Sequence, residues 1–336
     1  MRRSYHAYGR VLASDLDFPE LTPCDEPADI TFHIDVLPQA PARWFDIWRF
    51  FEERPWVRAS VCPDGYRIRY EEMADFFVNP ARGVAIADPY ACPPLTLRHF
   101  FLDQVLPLML SVRDIVLHAS AAAIDEKCVA FVGPGGSGKS TLALALGRLS
   151  FPVVSDDGLL VRQAGHDASS NGAQRPGLNW TAVPSYAGLR LWPDALEALA
   201  VGADARMVEH SPKGRLRDGV SFAAAPRPLA SIYVLEPRPF GSVEFSAMSA
   251  RDLLVAMLGQ MYRLDQGSAS GLGRELQRAG DCASSVRAWR LAYPRNWSCS
   301  RDVAYAVVEH ARSHVIDSCS DASGRPIRDM SPARAC

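Results

Sequence analysis

The chain has 336 residues, 36 lysines and arginines against 38 aspartates and glutamates, and a formal net charge of −2. At roughly 150 residues per domain this length predicts two domains, and a hydrophobic content of 48% excludes a mostly disordered chain. The near-neutral charge gives no field for capturing nucleic acid or an anionic membrane non-specifically, with a local basic patch as the alternative. No apolar run reaches the ~18–20 residues of a membrane span.

The eight cysteines form no C-x-x-C pair and have no zinc-like spacing to the histidines. We therefore expect isolated reduced thiols in a cytoplasmic protein rather than a metal site or a disulfide framework. The basic start of the chain is followed by no apolar segment, so no secretory signal is predicted.

The first 94 residues are predicted to form a β-rich domain that serves in substrate binding or assembly. Turn residues at 63–65 and 79–83, each between alternating segments, predict two hairpins. Trp44, Trp48 and Phe51 have i, i+4 and i+7 spacing, which predicts one face of a helix over 42–56. Core packing is the favoured interpretation of this aromatic cluster, and a ligand groove is the alternative.

Residues 95–316 are predicted to form the second domain, and residues 317–336 a disordered tail. The domain would begin with a buried helix over 95–112, kinked by Pro107. The remaining elements are expected in this order: strands 115–124 and 128–132, helix 139–149, strands 152–155 and 159–162, a mobile loop 164–179, helix 193–199, strands 229–235 and 243–245, helix 251–263, and a helix over 301–314 capped by Ser300.

The sharpest motif is Gly133-Pro134-Gly135-Gly136-Ser137-Gly138-Lys139-Ser140, which matches G-x-x-x-x-G-K-[ST] at every fixed position. Glycines let backbone N–H groups curl around phosphate oxygens, and the helix that follows adds its N-terminal dipole. Lys139 would bring a charge to the phosphates and Ser140 would ligate Mg²⁺. The whole loop, with Thr141, is therefore predicted to bind a nucleotide.

Asp156 and Asp157 end an apolar strand, where a Mg²⁺ ligand beside a phosphate loop is expected. Successive side chains on an extended chain point to opposite sides, so one carboxylate would face the metal and the other solvent or substrate. Either could also accept a hydroxyl proton. A solvated turn is the alternative for the pair, and a satisfied core residue is the alternative for His118.

The stretch LHASAAAIDEKCVAFVGPGGSGKSTLALALGRLSFPVVSDDGLLVR (117–162) resembles the catalytic domain of HPr kinase/phosphorylase and its relatives. A histidine strand, a short strand, the phosphate loop and an Asp-Asp strand follow one another there at similar spacing. Weaker similarity extends through 183–199. Tyr5, Tyr8-Gly9 and Ser14-Asp15 resemble the front region of related kinases encoded with ribosomally made peptides, including lasso peptides.

The resemblance implies an α/β fold with a P-loop core of the HPr kinase/phosphoenolpyruvate carboxykinase type, preceded by a smaller β-rich domain. It implies an ATP- and Mg²⁺-dependent kinase that phosphorylates a serine hydroxyl, as on the C-terminal residue of a lasso-type precursor, and a homo-oligomer. Asp156 would be the base, with His118 hydrogen-bonded to it. Lys139 would hold phosphates, and Ser140 and Asp157 would lie at the metal.

The sequence also departs from the family. Where HPr kinases carry Leu-Glu-x-Arg-Gly-x-Gly, residues 186–192 read YAGLRLW without a glutamate, which counts against HPr as the substrate and against the reverse phosphorylase reaction. Arg190, Lys213 and Arg215 are candidate substrate or phosphate contacts, with a solvated charged loop as the alternative. A kinase of free serine or a sugar, and a non-catalytic nucleotide-binding regulator, are the alternative functions.

Overall fold

The computed structural model describes residues 2–38, 43–50, 54–163, 180–199, 206–207, 213–264, 266 and 268–316. It is a mixed α/β structure with two nine-stranded sheets and a smaller three-stranded one. The predicted mobile loop 164–179 and the predicted disordered tail 317–336 lie outside the described residues.

The first sheet takes its nine strands from the front of the chain and has the order β3-β1-β2-β4-β9-β8-β7-β6-β5. Both predicted hairpins are confirmed, because β6 pairs with β7 and β8 with β9 in antiparallel register. The strands are β1 (Arg3–Ala7), β2 (Arg10–Ser14), β3 (Thr22–Cys24), β4 (Ile30–Ile34), β5 (Phe45–Phe50), β6 (Arg54–Cys62), β7 (Gly65–Tyr70), β8 (Ala74–Asn79) and β9 (Val84–Pro89).

The helix predicted over 42–56 is wrong, because β5 and β6 form an antiparallel pair there. Phe45 and Ile47 pack against the hydrophobic core on either side of Asp46 in the chain, which is the period of two that a strand requires. The Trp44 ring lies under Arg58 and Arg69, whose guanidinium carbons are 5.7 and 4.5 Å from its centroid. Cross-strand packing therefore overrides the helical spacing of the aromatic residues.

The predicted buried helix is present as α1 (Pro94–Phe100) and α2 (Leu106–Ser111), joined by a π-helical turn over Phe101–Val105. The irregularity falls where the sequence predicts a kink, since Pro107 has no N–H to donate to the carbonyl of Asp103. That carbonyl accepts a hydrogen bond from the Tyr262 hydroxyl at 3.1 Å. The helix is therefore distorted by one turn and tied to a distant part of the chain.

The second sheet has the order β10-β14-β15-β19-β12-β11-β13, with β21 pairing with both β19 and β20. Parallel pairing of β12 with β19 and of β19 with β21 places the phosphate-loop strand inside the sheet. Its strands are β10 (Ile115–Leu117), β11 (Ala119–Ile124), β12 (Lys127–Val132), β13 (Val153–Ser155), β14 (Leu159–Gln163), β15 (Trp180–Val183), β19 (Arg227–Arg238), β20 (Glu244–Ala247) and β21 (Arg287–Pro294). The third sheet joins β16 (Leu189–Leu191), β17 (Arg206–Met207) and β18 (Gly214–Leu216) in the order β16-β18-β17.

Helices cover both faces of the second sheet. Along β12, Ala130 packs in the cluster with residues of α5 and α6, whereas Phe131 packs in the cluster with residues of α3 and α7. The remaining helices are α3 (Lys139–Arg148), α4 (Pro193–Leu199), α5 (Ala250–Leu258), α6 (Ala269–Ser285) and α7 (Ser300–Ile316).

Three predicted boundaries need correction. The strand predicted over 115–124 is interrupted at His118, which lies between β10 and β11 and whose N–H donates to the carbonyl of Gln260 at 2.6 Å. The helix predicted to reach Arg263 ends at Leu258. Ser300 is the first residue of α7 rather than its cap, and its hydroxyl donates to the carbonyl of Trp297 at 2.7 Å.

The first hydrophobic cluster extends across the boundary predicted near residue 95. Phe32 of the first sheet stacks on Phe101 with ring centroids 4.0 Å apart, and Tyr70 stacks on Phe100 at 4.2 Å. The same cluster takes in Leu160 from the second sheet. Division of the chain into two domains stays a prediction.

No helix in the described part of the chain has both the length and the apolar character needed to cross a membrane. The described cysteines are free thiols, and they are Cys24, Cys62, Cys92, Cys128, Cys282 and Cys299.

Candidate active site

The phosphate loop runs from the end of β12 to the first residue of α3. The Ser137 N–H donates to the carbonyl of Pro134 at 3.1 Å, which closes a tight turn inside the loop. Gly138 has a φ of 92° and caps α3 without a side-chain hydrogen bond, so no side chain competes for the first amides of the helix. Unpaired amides at a helix N-terminus attract anions.

A Cβ at Gly138 would overlap the hydroxyl of Tyr293, which donates to the carbonyl of Ser137. Glycine is therefore required at this position by a close approach as well as by φ. The contact joins the loop to the end of β21, more than 150 residues further along the chain.

Lys139 folds back over the loop. Its ammonium donates to the carbonyls of Gly133 at 2.8 Å and Pro134 at 3.2 Å. Burial lowers the pKa of Lys139 to about 8, although Asp157 opposes the shift. Beside it the buried Ser137 hydroxyl has no hydrogen-bond partner among the described residues. Lys139 lines the cavity, so an anion bound there would accept hydrogen bonds from its ammonium and favour its charged form.

A cavity of about 500 Å³ opens beside the loop, which lies within the range of small-molecule sites. Three groups of residues line it. The loop and helix supply Gly135, Gly136, Gly138, Lys139, Ser140 and Thr141; a second wall contains Arg190, Trp192 and Lys213; a third contains Tyr293, Arg295, Asn296, Trp297 and Ser300. Of the predicted site residues, His118, Arg190 and Lys213 thus meet the phosphate loop in one cavity.

Asp156 is turned into the protein. One carboxylate oxygen accepts from the Ser120 hydroxyl at 2.5 Å, and the other accepts from the backbone N–H of Arg190 at 2.6 Å. Burial, followed by the charge of Asp157, raises the pKa of Asp156. It is therefore a fixed carboxyl group with increased proton affinity.

Asp157 has a φ of 62°, so the chain leaves the extended conformation here and turns this side chain toward the cations of the cavity. It accepts from the Arg190 guanidinium at 2.6 Å and lies 3.3 Å from the Lys213 ammonium. Burial alone would raise the pKa of Asp157, but Arg190 and Lys213 overcome it and hold the pKa well below its usual range. This carboxylate stays ionised.

The predicted hydrogen bond between His118 and Asp156 is not formed. Nε2 of His118 instead faces Asp157 at 3.8 Å, because Ser120 and the Arg190 backbone occupy both oxygens of Asp156. Burial lowers the pKa of His118 to about 4 although Asp157 opposes the shift. The imidazole is neutral at pH 7 and lines the cavity.

Arg215, predicted as a substrate or phosphate contact, is not among the residues that line the cavity. Its guanidinium donates to Asp103 at 2.6 Å and lies 4.9 Å from the centroid of the Tyr186 ring. Arg190 links the two carboxylates, with its Nε 3.9 Å from Asp103 and its Nη1 bound to Asp157. His99 also reaches Asp103, at 2.5 Å. Arg215 therefore belongs to a buried network behind the cavity.

Sequence reasoning missed Ser120, Asp103 and the wall from Tyr293 to Ser300. Ser120 lies two residues after His118 in the same apolar run, so a polar side chain there was an available signal. Asp103 is a lone carboxylate in an apolar helical segment, which also signals a buried partner. The residues of the third wall match no sequence motif, and they come close to the phosphate loop only in the folded protein. The sequence therefore carried no signal for them.

The described residues contain no cluster of three or more histidine, cysteine, aspartate or glutamate side chains that could hold a metal ion. The Ser140 hydroxyl lines the cavity, whereas the ionised Asp157 does not line it but contacts the lining residues Arg190 and Lys213. Both are oxygen donors of the kind that Mg²⁺ prefers, and Mg²⁺ binds through few protein ligands together with phosphate oxygens. Asp157 is already paired with two cations, so a metal near it would compete with Arg190 and Lys213.

No protein-family model matches the chain, and no curated protein matches it. Among solved structures, the HPr(Ser) kinase/phosphatase from Coxiella burnetii is similar, with 12% sequence identity over 60% of this chain and 92% of that chain, at a TM-score of 0.31. A TM-score this low does not establish a common fold. The likeness of this chain to a known kinase is therefore weak.

Proposed function

We propose that the protein is an ATP- and Mg²⁺-dependent kinase that transfers the γ-phosphate to a hydroxyl group, with serine on a peptide as the acceptor. The observation that carries this proposal is the phosphate loop itself. Three of its glycines, the buried Lys139 and the first helical residues Ser140 and Thr141 line a cavity large enough for a nucleotide.

The surroundings of Asp156 and Asp157 favour different roles for the two residues. Their pKa values are pushed in opposite directions, which is typical of carboxyl pairs that serve as base and as charge stabiliser. Asp156, with the raised pKa, would accept the hydroxyl proton. Ser140 would hold Mg²⁺ together with Asp157, which would exchange a contact to Arg190 or Lys213 for the metal. The bound metal would neutralise charge on the phosphates.

The second wall of the cavity supports an acceptor site. Arg190 and Lys213 place two cations beside the ionised Asp157, and Lys213 also lies 5.9 Å from the centroid of the Trp192 ring. Cations at this position would stabilise charge on a phosphoryl group in transfer. An exposed tryptophan beside them would contact an acceptor larger than a free amino acid.

The test is transfer of label from γ-labelled ATP with Mg²⁺ to four acceptors: a peptide ending in serine, the same peptide ending in alanine, free serine and a sugar. We expect label on the serine-ended peptide and none on its alanine-ended control. Transfer confined to free serine or the sugar would contradict the peptide as acceptor. Bound ATP with no transfer to any hydroxyl would favour a non-catalytic nucleotide-binding protein.

A further inference from the structure

The third wall of the cavity is formed by the end of β21, a short 3-10 turn over Trp297–Cys299 and the start of α7. It is joined to the phosphate loop through the Tyr293 hydroxyl and the Ser137 carbonyl. The proposed phosphate transfer assigns no role to the side chains of this wall, although they line the same cavity as the phosphate loop.

The wall changes in chemistry along its length. Arg295 lies next to the loop, because its guanidinium is 4.0 Å from the position that a Cβ of Gly136 would take. Two residues further on, Trp297 presents an aromatic side chain that is 37% exposed. A positive group at the loop followed by an aromatic surface matches a ligand that has phosphates at one end and a flat ring at the other.

The Trp297 side chain is partly exposed to the cavity. Among the described residues no ring or cation is recorded stacked on it, whereas Lys213 lies over the ring of Trp192 on the second wall. The backbone around Trp297 is held in place, since the Asn296 side chain accepts from the Ser298 N–H at 3.1 Å and the Ser300 hydroxyl donates to the Trp297 carbonyl. A partly exposed aromatic side chain that lines the cavity from a held backbone is suited to stacking.

We propose that Trp297 is the stacking platform for the base of a nucleoside triphosphate. The inference rests on the proposed nucleotide binding at the phosphate loop. It adds a base site on a wall that the loop motif does not include, with Val303 of α7 as its apolar neighbour in the cavity.

The test compares two ligands, ATP and inorganic tripolyphosphate, by titration of the full chain with Mg²⁺. We expect Trp297→Ala to weaken ATP binding roughly ten- to a hundredfold and to leave tripolyphosphate binding unchanged, because one base stack is lost. Trp297→Phe should retain most of the ATP affinity. Tyr305→Ala, which removes a similarly exposed ring of α7 that does not line the cavity, should change neither affinity.

Unchanged ATP binding in Trp297→Ala would overturn the proposal, as would an equal loss for both ligands. Loss of ATP affinity in Trp192→Ala alone would place the base at Trp192 on the second wall and would also overturn the proposal. In each of these outcomes, tight ATP binding by the unaltered protein would still agree with the proposed function. If the unaltered protein bound neither ATP nor tripolyphosphate, the proposed function itself would be wrong.

Discussion

Adjacent aspartates at the end of β13 have opposite electrostatic surroundings. Asp156 is enclosed by a hydroxyl and a backbone N–H, whereas Asp157 is enclosed by a guanidinium and an ammonium. The sequence predicted that the pair would divide its roles. It could not predict that Asp157 would be the one that pairs with Arg190 and Lys213, because these two cations come from the third sheet and its edge.

Replacing Asp156 by asparagine should abolish phosphate transfer and leave ATP affinity nearly unchanged. The amide keeps polar contacts to Ser120 and to the Arg190 backbone but cannot accept the hydroxyl proton, so we expect a rate loss of about 10²-fold or more. Rates and affinities measured on the same preparation separate the two effects. Transfer that survives in Asp156→Asn but is lost in His118→Asn would move the base to His118, the residue that lines the cavity.

Lys139 should give ATP binding a dependence on alkaline pH. Burial lowers its pKa to about 8 in the free protein, and bound phosphates favour the charged form. The free lysine therefore loses its proton above pH 8 while the complex keeps it, so affinity should fall by up to about tenfold per pH unit above 8. Lys139→Arg stays charged and should show a flat profile from pH 7 to 9.5. An identical decline in both proteins would contradict this assignment.

At the scale of elements, the loop was predictable because its chemistry is local. Glycine spacing, a preceding apolar strand and a following helix are all contained in a short stretch of sequence. The Tyr293 contact and the third wall were not predictable, since parallel pairing of β21 with β19 brings them to the loop. The strand β5 was mispredicted because the i, i+4, i+7 spacing of Trp44, Trp48 and Phe51 fits a helix, whereas the residues that pack against the core, Phe45 and Ile47, alternate as in a strand.

A glycine of the loop and a glycine of α6 provide a substitution and its control. Gly138→Ala places a Cβ against the Tyr293 hydroxyl at a positive φ, whereas Gly273→Ala meets no atom within 4 Å and does not line the cavity. We expect the first substitution to weaken ATP binding at least about tenfold by reshaping the loop, and the second to change it less than threefold. Calorimetric titration checks both variants. Equal affinities would show that the loop does not depend on this contact.

At the scale of the molecule, the two large sheets share a core across the boundary predicted near residue 95. The chain length predicted two domains, and the hairpins predicted the β-rich character of the first region. The packing of this region against the rest of the chain could not be predicted, because Phe32 and Phe101 are 69 positions apart and only the fold brings their rings into contact.

Phe32→Ala should therefore destabilise both sheets together. Removing this fully buried ring should lower the free energy of unfolding by about 3–5 kcal/mol. Urea titration followed by circular dichroism and by loss of ATP binding should give one common midpoint, shifted to lower urea. Phe240→Ala, at an 88% exposed position, should stay within about 0.5 kcal/mol. Separate midpoints for the two signals would show independent domains.

The proposed function requires that this protein transfers phosphate from ATP to a hydroxyl group. The most direct measurement is the transfer of γ-labelled phosphate from ATP to the serine-ended peptide by the unaltered protein and by Lys139→Ala, each with Mg²⁺ and with a chelator. We expect transfer only by the unaltered protein with Mg²⁺. Tight ATP binding by the unaltered protein with no labelled acceptor of any class, or equal transfer by Lys139→Ala, would contradict it.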